Sequence, residues 1–419
     1  MQPRIFFSTL SALQLLAAVG ACPFHGHAQH TSLNNHRRSL PAESAKTSTD
    51  NIRVFDGCRF SLAKTICFDA GYIVDTNGCD EAEVKINGSG KFLIPGLIDS
   101  HLHLQDVASL EKFTSYGCTT AMHMNCEDYT QCDINAKQPG LASFIYAGRS
   151  AGGNGSAHEK TEPTRPKDTL IYPDTNVTQW TEWQFNNVSN FLKLTAEVNG
   201  PSTQQQIEMI RVAHYQYHKQ AMTHAADLNA YSQAVESVTD GIQHVPDDGL
   251  LDNATIQQIK AQNQFVTPTL NVFKYAFSDP ILASDYFGVQ PGSNHTMSHV
   301  EANAKALYRA GVPLIAGTDS VGPLNLNGTI VTVPWGLSLH HELENLVQIV
   351  GMSPAEAINA ATREAAKWHR VLDRGSIETG KRADLLMLNS DPLANISNTQ
   401  DFEEIWVFGI EVAEVAKIV

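Results

Sequence analysis

The stretch Phe92-Leu-Ile-Pro-Gly-Leu-Ile-Asp-Ser-His-Leu-His-Leu-Gln105 decides the reading of the chain. It runs as an apolar strand, Phe92 to Ile98, that ends in polar chemistry. Asp99, His101 and His103 follow at alternate positions. Residues two apart on an extended chain project to the same side. His101 and His103 therefore face one way, and two imidazoles on one side of a strand end can hold a cation. Two hydrogen-bonded core histidines would give the same pattern, so the remainder of the chain must arbitrate.

The chain has 419 residues, 42% hydrophobic and 17% charged, which suits one large α/β domain with a smaller companion. The formal net charge of -15 argues against nucleic acid or an anionic membrane surface as partner. Residues 1–21 read as a secretory signal: Arg4 leads an apolar run too short to span a bilayer, and small residues end at Ala21. Asn-x-Ser/Thr acceptors at Asn87, Asn154, Asn176, Asn187, Asn253, Asn294, Asn327 and Asn395 fit a secreted glycoprotein. Six of the seven cysteines lie between Cys58 and Cys132. In an oxidising compartment some of them should pair, with Cys126 and Cys132 close enough for a small loop. The absence of Cys-x-x-Cys argues against a zinc ribbon.

Residues 22–50 read as a polar, flexible extension. From 51 to 91, short β-patterned runs alternate with turn residues such as Asn77-Gly78. From 92 to 371, strand and helix patterns alternate. The polar stretch 159–187 reads as a surface excursion, and the loop Ala151–His158 as flexible and facing the active site. His214 and His218 fall on or beside the helix 203–219 and are assigned to packing or solvent. His340-His341-Glu342 lacks the His-Glu-x-x-His spacing and reads as a partly exposed helix face. Residues 372–419 return to strand patterns. The expected architecture is a (β/α)8 TIM barrel over 92–371, with 51–91 and 372–419 forming one small β-sandwich lobe.

In such a barrel, chemistry gathers at the C-terminal ends of strands. The polar residues at the predicted ends are His101, His103, Lys193, His224, His244 and Asp319. Five are metal-ligand types. Lys193 is not, since an ammonium repels a cation, unless carbon dioxide converts it to a carbamate. His123, His158, Lys274 and Tyr275 are candidates for substrate contact.

Several motifs recur in order: Pro-Gly-Leu-Ile-Asp-Ser-His-Leu-His, Phe-Leu-Lys-Leu, Thr-His-Ala-Ala-Asp-Leu, Gly-Ile-Gln-His and Ala-Gly-Thr-Asp-Ser, then Gly-Met-Ser-Pro-Ala-Glu-Ala-Ile-Asn-Ala-Ala-Thr and Gly-Lys-Arg-Ala-Asp-Leu. Together they resemble the metal-dependent amidohydrolase superfamily, closest to its imidazolonepropionase-like and Xaa-Pro dipeptidase-like branch. The resemblance implies two divalent ions, zinc by expectation. It assigns His101, His103 and Asp319 to one ion, His224 and His244 to the other, and a carboxylated Lys193 between them. It further implies hydrolysis of an amide, peptide or cyclic amide bond of a small molecule by a metal-activated water, with Asp319 moving the proton. Two alternatives remain: the same metal site used for decarboxylation or dehydration, and a catalytically silent binding scaffold. The implied partner is a small-molecule substrate, with neither nucleic acid nor membrane; a homo-oligomer is compatible with the chain.

Overall fold

The computed structural model describes residues 44–412 apart from Pro163, Gly288, Pro291, Asn327 and Gly328. The signal, most of the extension and the Asn327 acceptor lie outside the described residues.

The deciding stretch is split between two sheets. Phe92–Pro95 forms one strand and Leu97–His103 the next, with Gly96 between them. A β-carbon on Gly96 would collide with the Thr119 side chain, so only glycine fits that close crossing. Phe92–Pro95 pairs in parallel with Thr47–Val54 and antiparallel with Leu385–Leu388. It therefore belongs to the lobe and not, as the apolar run suggested, to the barrel region.

The two ends of the chain share one eight-stranded sheet. It joins Thr47–Val54, Lys64–Asp69, Tyr72–Val74, Val84–Asn87 and Phe92–Pro95 to Leu385–Leu388, Phe402–Val407 and Ile410–Glu411. The lobe starts at Thr47, inside the stretch read as extension, because Thr47, Ser48 and Thr49 are buried against Phe68, Cys67 and Ile66. Among the described residues these strands form one connected sheet, with Val84–Asn87 branching from Thr47–Val54, and the expected sandwich is not detected. One face carries a core of Ile52, Val54, Phe68, Ile73, Leu93, Leu385, Met387 and Trp406.

Apart from the antiparallel pair Ser320–Leu326 and Thr329–Val333, the remaining strands lie parallel and alternate with helices, the mark of an α/β fold. They fall into a four-stranded sheet of Leu192–Thr195, Ala221–His224, Gly241–Gln243 and Phe265–Thr267, and a five-stranded sheet centred on Leu97–His103 and Cys118–His123. Isolated parallel bridges, Ala147 to Phe191 and Val266 to Leu314, connect the two groups. A continuous closed barrel is not detected among the described residues, and the reason is local. Between Phe265–Thr267 and Leu97–His103 runs the segment 312–319, where Pro313 has no N–H and Asp319 takes φ 54°. It holds its neighbours by a few backbone bonds and not by a regular ladder: Val266 N–H to Pro313 O at 2.9 Å and Ile315 N–H to Val266 O at 3.0 Å on one side, Ser100 N–H to Ala316 O at 3.0 Å on the other.

Two further expectations are corrected. The stretch 159–187 includes the helix Val177–Asn186, which buries Trp180 and Phe185 in a core with Leu192, Leu194, Met209 and Ile210. His340 and Glu342 are both fully buried rather than partly exposed. The helix carrying them, Leu337–Asn345, is covered on more than its apolar stripe, and His340 bonds Thr399 Oγ1 and Tyr116 O, each at 2.9 Å. His214 is paired with Asp240 at 2.7 Å, as a packing role requires. Cys126 and Cys132 form a disulfide, as do Cys67 and Cys79, and Cys118 is a buried free thiol. No helix among the described residues is long and apolar enough to cross a membrane.

The Gly-Lys-Arg-Ala-Asp-Leu motif has a structural meaning. Arg382 clamps Asp384 with two bonds, 2.8 and 3.2 Å, and Asp384 also accepts the Phe408 N–H at 2.8 Å. Burial alone would raise the Asp384 pKa; the Arg382 and Arg374 charges and these bonds hold it below the usual carboxylate value. Its stabilisation is thus complete above about pH 4 and is lost as pH falls through the lowered folded value. Removing one partner of a buried pair leaves an uncompensated charge. Asp384→Ala should cost about 3–5 kcal/mol in denaturant unfolding at pH 7, with a smaller difference from wild type in acid; an unchanged midpoint would reject this role.

Candidate metal centre

Three strand ends converge. His101 and His103 leave the strand Leu97–His103 on one side, as their alternation requires. Asp319 reaches them from the opposite side of the segment 312–319, with its carboxylate 3.3 Å from His101 Nε2 and 3.2 Å from His103 Nε2. His244 follows the strand Gly241–Gln243, and its ring lies 4.8 Å from that of His101. One ligand atom each from His101, His244 and Asp319 fall within 4.8 Å of one another. His224, at the end of Ala221–His224, brings its ring 4.6 Å from His244. Lys193, buried on Leu192–Thr195, stands beside Met222 of that neighbouring strand.

The backbone beneath is held by one carboxylate. Asp99 accepts the N–H of His101 at 3.1 Å, the N–H of Thr318 at 3.1 Å and the Thr318 hydroxyl at 2.7 Å. Burial raises its pKa to about 7. Gly317 allows the approach: a β-carbon there would lie 2.8 Å from His101 N. Thr318 and Asp319 N–H both turn back to His101 O, at 3.0 and 2.7 Å.

Each buried imidazole has one nitrogen fixed. His101 Nδ1 bonds Gln243 Oε1 at 2.9 Å, and His244 Nδ1 bonds Thr269 Oγ1 at 2.7 Å. A fixed Nδ1 leaves Nε2 to face the centre. Burial, then the Lys193 charge, pushes both rings well below the ordinary histidine pKa. They are neutral at physiological pH, which is the ligand form. Burial also lowers the Lys193 amine to about 7, against the opposing pull of Asp319. This donor set, with lone pairs inward and a carboxylate among them, fits a divalent cation such as zinc.

The substrate-contact candidates part ways. His158 comes within 4.5 Å of the His224 ring and bonds Glu197 Oε1 through Nδ1 at 3.0 Å. Burial raises the Glu197 pKa, but the His158 charge and hydrogen bond hold the net value low. His123 uses its Nδ1 to accept the Leu104 N–H at 3.1 Å and so braces the backbone just after His103. Tyr275 packs against the main core from the helix Leu270–Ala276, and Lys274 reaches Asn345 at 3.3 Å. Asp99, Gln243, Thr269 and Glu197 carry roles that the sequence reading did not assign. Gln243 and Glu197 each lie within two residues of a predicted strand end, the one signal that points to them.

The chain matches the amidohydrolase family model over residues 168–409. It is 38% identical over 81 residues to an imidazolonepropionase of Pyrobaculum arsenaticum, covering 19% of this chain and 18% of that one. It is 29% identical over 138 residues to an imidazolonepropionase of Deinococcus deserti, 32% of each chain. The matches thus span about a fifth to a third of these curated relatives. A structure assigned as a prolidase from Bifidobacterium longum superposes with a TM-score of 0.74 at 23% identity, over 90% of this chain and 97% of that one, and shares the fold.

Zinc added to chelator-treated protein should raise its melting temperature, reaching about 2.7 kcal/mol at one hundred times the dissociation constant. His101→Ala combined with His244→Ala should abolish the rise; a rise that survives the double substitution would move the cation elsewhere.

Proposed function

The chain belongs to the amidohydrolase family, and from that premise we propose that it hydrolyses a carbon–nitrogen bond, an amide, peptide or cyclic amide, of a small molecule. The observation that carries this reading is the convergence of His101, His244 and Asp319 ligand atoms within 4.8 Å at adjoining strand ends. In this reading His101, His103 and Asp319 hold one zinc ion, and His224 and His244 hold a second. Lys193, whose amine is brought to about 7 by burial, is suited to take up carbon dioxide and stand between them as a carbamate. The ions, when bound, lower the pKa of water and polarise the scissile carbonyl.

The chain's own residues supply positioning and proton transfer. Asp319 is held by two imidazoles and by the backbone turn at φ 54°, so its carboxylate faces the reacting atoms. It takes the proton from the attacking water and returns it to the leaving nitrogen. Glu197 fixes the tautomer of His158, which presents Nε2 toward the side of the centre marked by His224. A silent scaffold would be expected to have lost ligands, and each expected ligand residue is retained. The decarboxylation or dehydration reading has no observation of its own to favour it.

We further propose export. The signal-like start supports it, as do the disulfides Cys67–Cys79 and Cys126–Cys132 and acceptor asparagines that are exposed at Asn87, Asn154, Asn176, Asn253, Asn294 and Asn395 and half-buried at Asn187.

Protein purified without chelators from a secreting host should carry two zinc ions per chain by elemental analysis, fewer in Lys193→Ala, and an intact mass above that of the polypeptide from 22 onward. One ion, unchanged by Lys193→Ala, would remove the lysine from the centre; a bare polypeptide mass would remove glycosylation. The same preparation should cleave a member of an N-acyl amino acid and dipeptide panel. Asp319→Asn should lower that rate by about 10²–10⁴-fold with an unaltered circular dichroism spectrum, and retained turnover would exclude Asp319 from proton transfer.

A further inference from the structure

The buried carboxylate of Glu342 has no part in the site so far described, although it lies in the His340-His341-Glu342 run that the sequence singles out. Glu342 is fully buried on the helix Leu337–Asn345. Its two oxygens accept two successive backbone donors from another element: Leu270 N–H at 3.0 Å and Asn271 N–H at 2.7 Å. These are the first two amides of the helix Leu270–Ala276.

A helix ordinarily satisfies such amides through its own N-cap side chain. Here the N-cap is Thr269, and it makes no side-chain cap bond. It sits at φ 50° and ψ 44°, in the left-handed region that a β-branched residue rarely enters. Such a conformation is strained and persists only where the surroundings enforce it. The hydroxyl released from capping is the group that bonds His244 Nδ1, at 2.7 Å. Thr269 is fully buried, so its hydroxyl has no solvent to turn to.

The two facts fit together. If Thr269 capped its own helix, its oxygen would turn toward the amides and leave His244. Glu342 occupies those amides from the outside. We propose that Glu342 is a positioning residue for the metal centre: by capping the helix Leu270–Ala276 in place of Thr269, it frees the Thr269 hydroxyl to hold the His244 ring in place. This rests on the proposed metal site, and it adds a link two residues removed from any ligand.

The test measures zinc affinity by chelator competition on wild type, Glu342→Gln, Thr269→Val and the double variant, beside circular dichroism. Glutamine keeps one acceptor and turns a donor toward the second amide, so the cap is half lost. Glu342→Gln and Thr269→Val should each weaken zinc binding by about 10–100-fold. The double variant should be no weaker than Thr269→Val alone, because the two act in series. Should Glu342→Gln fail to fold, Thr269→Val leaves both backbone bonds of Glu342 in place and carries the test: a 10–100-fold loss supports the chain of bonds. Wild-type affinity in Thr269→Val, or additive losses in the double variant, would overturn it. Wild-type protein that takes up no zinc would instead overturn the functional reading, and this inference with it.

Discussion

The site depends on a buried carboxylate that never reaches the reacting atoms. Asp99 ties the first strand of the α/β region to the segment that ends it. It accepts N–H groups from His101 and Thr318, residues 217 positions apart, together with the Thr318 hydroxyl. Without that junction nothing in the local sequence would set Asp319 beside His101 and His103. The segment 312–319 is registered by scattered backbone bonds to Val266, Ser100 and His101 and by the pairing of Ser320 with Leu102 that follows it, and Asp99 adds to these. A low-dielectric acceptor of three bonds supplements the scattered pairing here, and each bond is stronger for being dry.

Three non-glycine residues of positive φ lie where that junction meets the candidate metal centre. His244, Thr269 and Asp319 have φ of 74°, 50° and 54°. None is glycine, and each carries a side chain that points into the site or braces one that does. A regular strand would alternate these side chains and carry the next ones away from the centre. A single left-handed residue re-aims the chain within one step. The conformational cost, about 1–3 kcal/mol each, is offset by the bonds that fix them, such as Asp319 N–H to His101 O at 2.7 Å.

What could be read from the sequence follows from this division. The position of His101 and His103 on one side of a strand end was legible because two-residue alternation is local, and that of His224, His244 and Asp319 because each ends a short apolar run; Lys193 lies inside the strand Leu192–Thr195 and not at its end. Most lobe strands were legible, but the first begins at Thr47, within the stretch read as extension, and Phe92–Pro95 was not assigned to the lobe. A single apolar run carries no mark of the sheet change at Gly96, which depends on Thr119 lying across it. Gln243 and Thr269 were missed because their meaning lies in rings that reach them from elsewhere. His101 and Gln243 are 142 positions apart. His340 and Glu342 were read as an exposed face because their helix shows an apolar stripe. A polar residue opposite a stripe is exposed only if nothing covers it, and here Thr399, Tyr116 and the helix Leu270–Ala276 do.

Four ionisable groups at the centre are shifted toward their neutral forms, while Glu197 beside His158 is held charged, and this bears on how the site can be built at all. Burial pushes His101 and His244 well down, lowers Lys193 to about 7, and raises Asp99 to about 7. Each change favours the neutral form of its group, though the chain as a whole carries a net charge of -15. Surface charge and site charge are therefore set independently: the acidic balance resides on exposed residues, where water pays the solvation. Inside, desolvation strips protons from imidazole and amine. Deprotonation is what a nitrogen needs before it can donate a lone pair to a cation or attack carbon dioxide. The same dry environment that makes the fold costly at this point is what prepares these nitrogens, and burial together with convergence on Asp319 separates this centre from half-buried histidines such as His214 beside Asp240 and from buried ones that bond elsewhere, such as His340.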